Sequence, residues 1–381
     1  MKKLYTSLGL MSGTSGDGID ISLIKSDGSE KCEFIVNKYF SFTDELYEKF
    51  HNLKDLVKNS SDIEHNKDLI KEFERIFTLE NAKAIKEIQK NTNEKIDVIG
   101  FHGQTIYHNS KEKISLQLGN GNLLSNLTNT KVVYNFRKND LLNGGQGAPL
   151  TPIFHYLLSK KIGIKNSLFL NIGGISNVTL ILKNNSFFAT DIGPGMCLID
   201  KWIRKNLKKK YDNNGSIASK GKVRNNLDYE LDTFLHFENK EFNKNYIKSF
   251  SVDDFDISFV RGLSLEDGAA TLSEYTAQII ANYYFYILNK YQKENISPIL
   301  LFCGGGRKNK DLIKRIKKNL DKIVKVKPNL IQMIDDYGVD GDYIESQAFA
   351  YLAIRSLLEL PISFPNTTGC NFPLSGGVVS K

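Results

Sequence analysis

The sequence predicts an α/β protein of two domains, each built on a mixed sheet and related by duplication, around a central cleft. Three observations carry this prediction. In residues 9–24 an apolar run leads into Ser12, Gly13, Thr14, Ser15, Gly16, Asp17 and Gly18, and an alternating run from Ile19 and Asp20 leads out. That is the pattern of a β-hairpin whose tip must stay free of side chains. Residues 168–182 repeat it about 160 positions later, with Gly173, Gly174 and Ser176 at the tip. Residues 299–307 form an apolar strand that ends in Gly304, Gly305 and Gly306 ahead of a basic amphipathic helix.

Glycine tips let backbone N–H groups face outward, and hydroxyls add donors, so each hairpin is either a phosphate cradle or an ordinary Gly/Ser turn. No Lys follows the first glycines, which excludes a P-loop. Glycines at the end of a strand allow a flat ligand close to the backbone. Two phosphate-facing hairpins and a glycine-lined strand end imply a nucleotide held between two domains. The pattern resembles the superfamily of sugar kinases, acetate kinase and actin.

The elements follow in order. Apolar positions from Leu46 to Phe77 recur at helical spacing across residues 43–91. A short strand at 96–100 ends at a polar group containing His102, Gln104 and Thr105, and a second at 131–136 leads to Arg137 and Asp140. The turn-rich passage 143–152 suits a domain crossing. The domains are therefore expected at 1–140 plus 358–381, and at 141–357, the latter closing with a helix over 343–358 and holding the second hairpin. A strand over 187–190 delivers Asp191, and Gly193, Pro194 and Gly195 then turn the chain into a helix.

Composition narrows the function. The 381 residues with 41% hydrophobic content support two sizeable cores, and no apolar run is long enough to span a membrane. Cys32, Cys197, Cys303 and Cys370 are scattered without C-x-x-C spacing, which fits reduced thiols in the cytoplasm. The net charge is +8, yet only eight of the 51 basic residues are Arg. The lysines, including the 204–210 cluster, read as solvated helix faces rather than a nucleic-acid surface, although the positive field draws anionic substrates.

Chemistry belongs where polar residues interrupt strand ends. Asp191 is either a carboxylate that handles a proton or the cap of the following helix. His102 is either hydrogen-bonded structure or a base, and Arg137 with Asp140 either binds substrate or forms a local ion pair. No His-x-x-x-His spacing points to a bound zinc.

Together the motifs resemble the bacterial anhydro-N-acetylmuramic acid kinases of cell-wall recycling. They occur in the family's order: Gly13-Thr-Ser-Gly-Asp-Gly-Ile-Asp20, Gly100-Phe-His-Gly-Gln-Thr105, Phe136-Arg-Lys-Asn-Asp140, Gly144-Gly-Gln-Gly-Ala-Pro-Leu150, Asn171-Ile-Gly-Gly-Ile-Ser-Asn177, Asp191-Ile-Gly-Pro-Gly195 and Cys303-Gly-Gly-Gly306, then Glu345. The resemblance implies an ATP-dependent kinase that opens the 1,6-anhydro sugar with water and phosphorylates O6. Asp191 matches the family's catalytic base. Residues 13–20, with Gly173 and Gly174, are expected at the phosphates, and Gly304, Gly305 and Gly306 under the adenosine. Mg²⁺ is expected on phosphate oxygens and water, near Asp17 or Asp20. Arg137, Glu345, Thr105 and His102 are expected on the sugar side, and the family suggests a homodimer. Asn120 and Asn135 depart from the usual Asp, the 246–255 loop lacks expected prolines, and Gly16 replaces a commonly larger residue. A kinase for another sugar and a nucleotide-binding sensor are the competing readings.

Overall fold

The computed structural model describes residues 2–380 except 14, 226, 228–229, 233, 235–246 and 325–329. The chain divides into two compact units, residues 1–158 with 343–381, and residues 159–342. In the first unit the strands are β1 (Tyr5–Ser12), β2 (Gly18–Ser26), β3 (Cys32–Ser41), β4 (Val98–Asn109), β5 (Ile114–Leu118) and β6 (Lys131–Tyr134). The second unit holds β7 (Ser167–Ile172), β8 (Ile175–Ile181), β9 (Phe187–Pro194), β10 (Ile299–Cys303) and β11 (Ile331–Met333), and β12 (Val378–Val379) returns to the first.

The expected duplication is visible in the strand order. The first sheet runs β12-β6-β4-β1-β2-β3, with β5 on β4, and the second runs β11-β10-β7-β8-β9. In each sheet the opening strand pairs antiparallel with the next, which pairs antiparallel with the third. On its other side each opening strand has two parallel neighbours in succession, reached by crossovers through helices.

Each sheet buries apolar residues against helices. In the first unit, Leu8, Leu10, Ile19, Ile21 and Phe101 pack with Phe50, Phe73 and Phe77 from the helices Asp44–Leu56 and Lys67–Lys90. In the second, Leu168, Leu170, Val178 and Phe302 pack with Tyr284, Leu312 and Ile316 from the helices Leu265–Lys290 and Lys310–Val324. A further cluster centred on Trp202 joins the helix Cys197–Asn206 to Leu272 and Tyr275.

The units part at 158/159 and 342/343, not at the expected 140/141 and 357/358. Two physical causes account for the difference. The 143–152 passage stays with the first unit because Gln146 N–H donates to Thr368 O at 2.7 Å and Gly147 N–H to the Asp140 carboxylate at 2.7 Å. The helix Ile344–Leu357 lies directly on the first sheet. Glycines make that approach possible: a Cβ at Gly9 would stand 1.9 Å from Ser346 O, and one at Gly100 2.1 Å from Phe349 O. The closing residues do return to the first unit, as expected.

Candidate active site

The first hairpin turns over residues 13–17, between β1 and β2. Gly16 N–H donates to Gly13 O at 3.1 Å and closes the turn. Gly16 has φ +60°, and a Cβ there would meet the Phe50 ring at 2.0 Å, so here the position requires glycine. The tip is fastened from outside by Tyr39 OH, which donates to Asp17 O at 2.9 Å, and by His51 Nε2, which donates to Ser15 O at 3.0 Å. Ser15 Oγ donates to Asp17 Oδ1 at 2.6 Å. Gly13 alone faces open space, with only Ser15 Oγ at 3.8 Å from a Cβ built there.

Gly18, Ile19 and Asp20 are ladder residues of β2, paired with Ser41, Phe40 and Tyr39. Ile19 is 2% exposed and its side chain belongs to the core. Asp17 sits in the tip and Asp20 in the ladder opposite Met11. Thr14 lies outside the described residues.

Still in the first unit, β4 extends to Asn109, so His102, Gln104 and Thr105 are strand residues rather than the loop after a strand. His102 is 3% exposed; its Nδ1 donates to Gly103 O at 2.8 Å, which leaves Nε2 to accept from Arg137 Nη2 at 2.8 Å. Arg137 Nη1 donates to Gly147 O at 2.6 Å. Burial, and then the Arg137 charge, hold His102 well below the usual histidine range. The same two causes lower His108 to about 4. His102 is thus neutral, and its Nε2 holds Arg137. Asp140, 1% exposed, accepts from Gly147 N–H and from Thr368 Oγ at 2.5 Å, and so braces the turn that Arg137 contacts. The Phe349 ring lies 4.5 Å from that of His102, one helical turn after half-buried Glu345. Thr105 accepts from Gln117 Nε2 at 3.4 Å.

Neutral buried histidines make stability depend on pH. Burial also lowers His155, to about 3. Below pH ~6.5 the unfolded chain takes up protons that His102, His108 and His155 refuse in the folded state, so stability falls as pH drops from about 6.5 toward 4. Each can contribute up to about 2 kcal/mol of that loss at pH 5. Urea midpoints at pH 7.5 and 5.0 are expected to show the loss, with a smaller difference in His108→Gln; an equal difference in wild type and variant contradicts the assignment.

In the second unit Asp191 lies on β9 and is 6% exposed. Residues 247–250 run alongside: Asp191 N–H donates to Lys248 O at 3.1 Å, Lys248 N–H to Thr190 Oγ at 3.0 Å, and Phe250 N–H to Asp191 Oδ2 at 2.8 Å. The loop whose prolines are missing therefore orients this carboxylate, and Phe250 is anchored among Phe234 and Phe255. The Gly173 and Gly174 carbonyls accept N–H groups of Gly195, Met196 and Cys197 at 2.8–3.1 Å, which fixes the second hairpin tip to the start of the helix after Asp191. A Cβ at Gly173 would find only Ile175 O, at 3.5 Å.

Gly304 (φ +78°) and Gly306 pack against Asn171 and Ile172, where Cβ atoms would come within 2.1 and 2.3 Å, while Gly305 faces open space. Arg307 locks this turn: it pairs with both Asp335 oxygens at 2.7–2.8 Å, with Asp342 at 2.5 Å, and donates to Gly304 O at 3.1 Å.

Three residues next to the candidate site were not singled out as site residues by the sequence reading: Gln104, Asn171 and Asn177. Gln104 bonds to the first hairpin across 92 positions of sequence, beyond any local pattern. Asn171, Asn177 and Asp191 are register partners on β7, β8 and β9, so they form one polar row across the sheet that only the strand pairing reveals. The two Asp-to-Asn departures are accommodated: Asn120 Oδ1 caps a helix by accepting from Leu123 N–H at 2.9 Å, and Asn135 adopts φ +53°, which Asn tolerates. Among the described residues no group of three or more His, Cys, Asp or Glu is arranged to hold a metal ion, and no helix is long and apolar enough to cross a membrane.

The sequence profile of the anhydro-N-acetylmuramic acid kinase family matches residues 5–381. An anhydro-N-acetylmuramic acid kinase from Pelagibacter ubique is 50% identical over 385 residues, covering 100% of each chain. One from Brucella canis is 36% identical over 384 residues, covering 99% of each. Among solved structures, a ROK family glucokinase from Streptomyces griseus covers 91% of this chain and 99% of its own, at 10% identity and a TM-score of 0.40.

Proposed function

The chain belongs to the anhydro-N-acetylmuramic acid kinase family, and from that premise we propose that it uses ATP to convert 1,6-anhydro-N-acetylmuramic acid into N-acetylmuramic acid 6-phosphate and ADP in cell-wall recycling. Water attacks the anomeric carbon, the bond from that carbon to O6 breaks, and O6 takes the γ-phosphoryl group. Asp191 accepts the proton that the water loses. The observation that carries this role is a buried carboxylate at the end of β9, oriented by the Phe250 N–H at 2.8 Å. A carboxylate held in this way can take a proton as a general base.

The nucleotide's phosphates belong at the glycine tips. Gly13 and Gly173 support that reading, since a Cβ at either would project into space that a phosphate can fill. Gly305 offers the same bare surface to the adenosine. A phosphoryl transfer of this kind uses Mg²⁺ to neutralise phosphate charge, and a hard cation with few protein ligands suits the carboxylate of Asp17 in the tip better than Asp20 in the ladder. Arg137, held by neutral His102, supplies a fixed positive charge for the lactyl carboxylate of the sugar. Glu345 and Thr105 complete the sugar side. Cytoplasmic residence and a homodimer rest on family resemblance; light scattering that returns a monomer mass removes the dimer.

Mass spectrometry of a reaction with ATP and the anhydro sugar tests the proposal. N-acetylmuramic acid 6-phosphate is the expected product. Phosphorylation of other sugars with none of the anhydro sugar consumed refutes it.

A further inference from the structure

We propose that Gln104 is a positioning residue for phosphoryl transfer: from β4 it holds Ser12 and Gly13, where β1 enters the first hairpin tip, and so sets how the tip meets the phosphates. This rests on the reading of residues 13–17 as a phosphate cradle. Gln104 is 0% exposed. Its Nε2 donates to Gly13 O at 2.9 Å, and its Oε1 accepts from Ser12 Oγ at 2.6 Å. The amide orientation is fixed by chemistry, because a backbone carbonyl only accepts and so demands the NH₂ end. Ser12 Oγ also lies 2.7 Å from Gly18 O, the first residue after the tip. One carboxamide therefore reaches the residue before the tip and its first residue, and the single Ser12 hydroxyl proton is shared between Gln104 Oε1 and Gly18 O.

The backbone is shaped to place this group. β1 and β4 run parallel in register from Ser7 with Val98 to Leu10 with Phe101, then shift so that Ser12 faces Gln104. Such an irregularity re-aims a side chain. Gly103 permits it, with φ +80° and Leu118 O only 2.7 Å from where a Cβ would stand. Tyr39 and His51 also support the tip, through Asp17 O and Ser15 O, and the Phe50 ring lies beneath Gly16.

If Gln104 sets the tip, its loss acts on the nucleotide and spares the sugar. In Gln104→Leu, similar in size and unable to make either bond, KM for ATP and Kd for a nonhydrolysable ATP analogue are expected to rise about tenfold, the scale of one to two net hydrogen bonds. KM for the anhydro sugar is expected to stay within about threefold. Gln104→Glu keeps an acceptor for Ser12 but sets an oxygen against Gly13 O, so it should be no better than Leu. Ser12→Ala, a milder change, covers the case in which Gln104→Leu does not fold, and should weaken the analogue in the same direction. Gly13→Ala separates the two layers of the reading, since among the described residues beyond its chain neighbours its methyl meets nothing closer than Ser15 Oγ at 3.8 Å, and it is expected to obstruct a ligand. Analogue binding weakened by Gly13→Ala but unchanged by Gln104→Leu and Ser12→Ala overturns the brace and leaves the cradle standing. Binding unchanged in all of them overturns both, and an equal rise in the two substrates' KM values reduces Gln104 to a general packing role.

Discussion

Replacing Asp191 by Asn lowers turnover by at least about a hundredfold while the fold survives, since general-base contributions run ~10²–10⁴. The substitution is close to isosteric, and a carboxamide oxygen can still accept from the Phe250 N–H that now meets Asp191 Oδ2 at 2.8 Å. The backbone bond from Asp191 N–H to Lys248 O is untouched. What the variant loses is the capacity to take a proton from water at neutral pH. An Asp that served only to anchor the 247–250 segment would tolerate the change with little loss of rate. Turnover and melting temperature measured on the same preparation distinguish the two: slow and stable supports the base, active and stable makes Asp191 a structural anchor.

Gly100→Val is expected to have the largest effect on stability. A Cβ there would lie 2.1 Å from Phe349 O and 2.8 Å from Phe349 C, both backbone atoms of the helix Ile344–Leu357. No rotamer relieves such an overlap, so the helix must lift from β4, and Gly9 on neighbouring β1 shows the same dependence through Ser346 O. Overpacking of this kind costs about 1–3 kcal/mol or more, enough to lower the melting temperature by about 5 °C or more. The same helix carries Glu345, and its Phe349 ring packs on His102, so sugar binding should weaken in parallel. Gly305→Ala, where a Cβ meets nothing within 4 Å, is the contrast and should leave melting unchanged. Equal melting temperatures for Gly100→Val and wild type would show that the helix does not depend on this contact.

Features encoded by adjacent residues were legible in the sequence. Both glycine hairpins, the glycine strand end and the helix after Gly193-Pro194-Gly195 stand where their local pattern puts them, because turn geometry and strand alternation are short-range properties. The duplicated α/β architecture was expected from two copies of one hairpin design, and the matching strand order is seen in the structure. What stayed hidden depends on contacts distant in sequence. The helix Ile344–Leu357 belongs to the first unit through two glycines some 250–340 positions upstream. Ile19 sits in a motif that reads as phosphate-binding, yet strand alternation turns its side chain into the core. For His102 the sequence favoured a hydrogen-bonded structural residue over a base, and the contact with Arg137, 35 positions away, became visible only in the structure. The Asn171, Asn177 and Asp191 row exists only once register is known.

The central claim is that water, primed by Asp191, opens the anhydro ring as O6 is phosphorylated. The most direct measurement runs the reaction in ¹⁸O-water and locates the label in the product by mass spectrometry at early times, before exchange at the anomeric hydroxyl. The account predicts one ¹⁸O at the anomeric carbon of N-acetylmuramic acid 6-phosphate and none in the phosphoryl group. A phosphorylated product without anomeric label, or label in the phosphate, contradicts it.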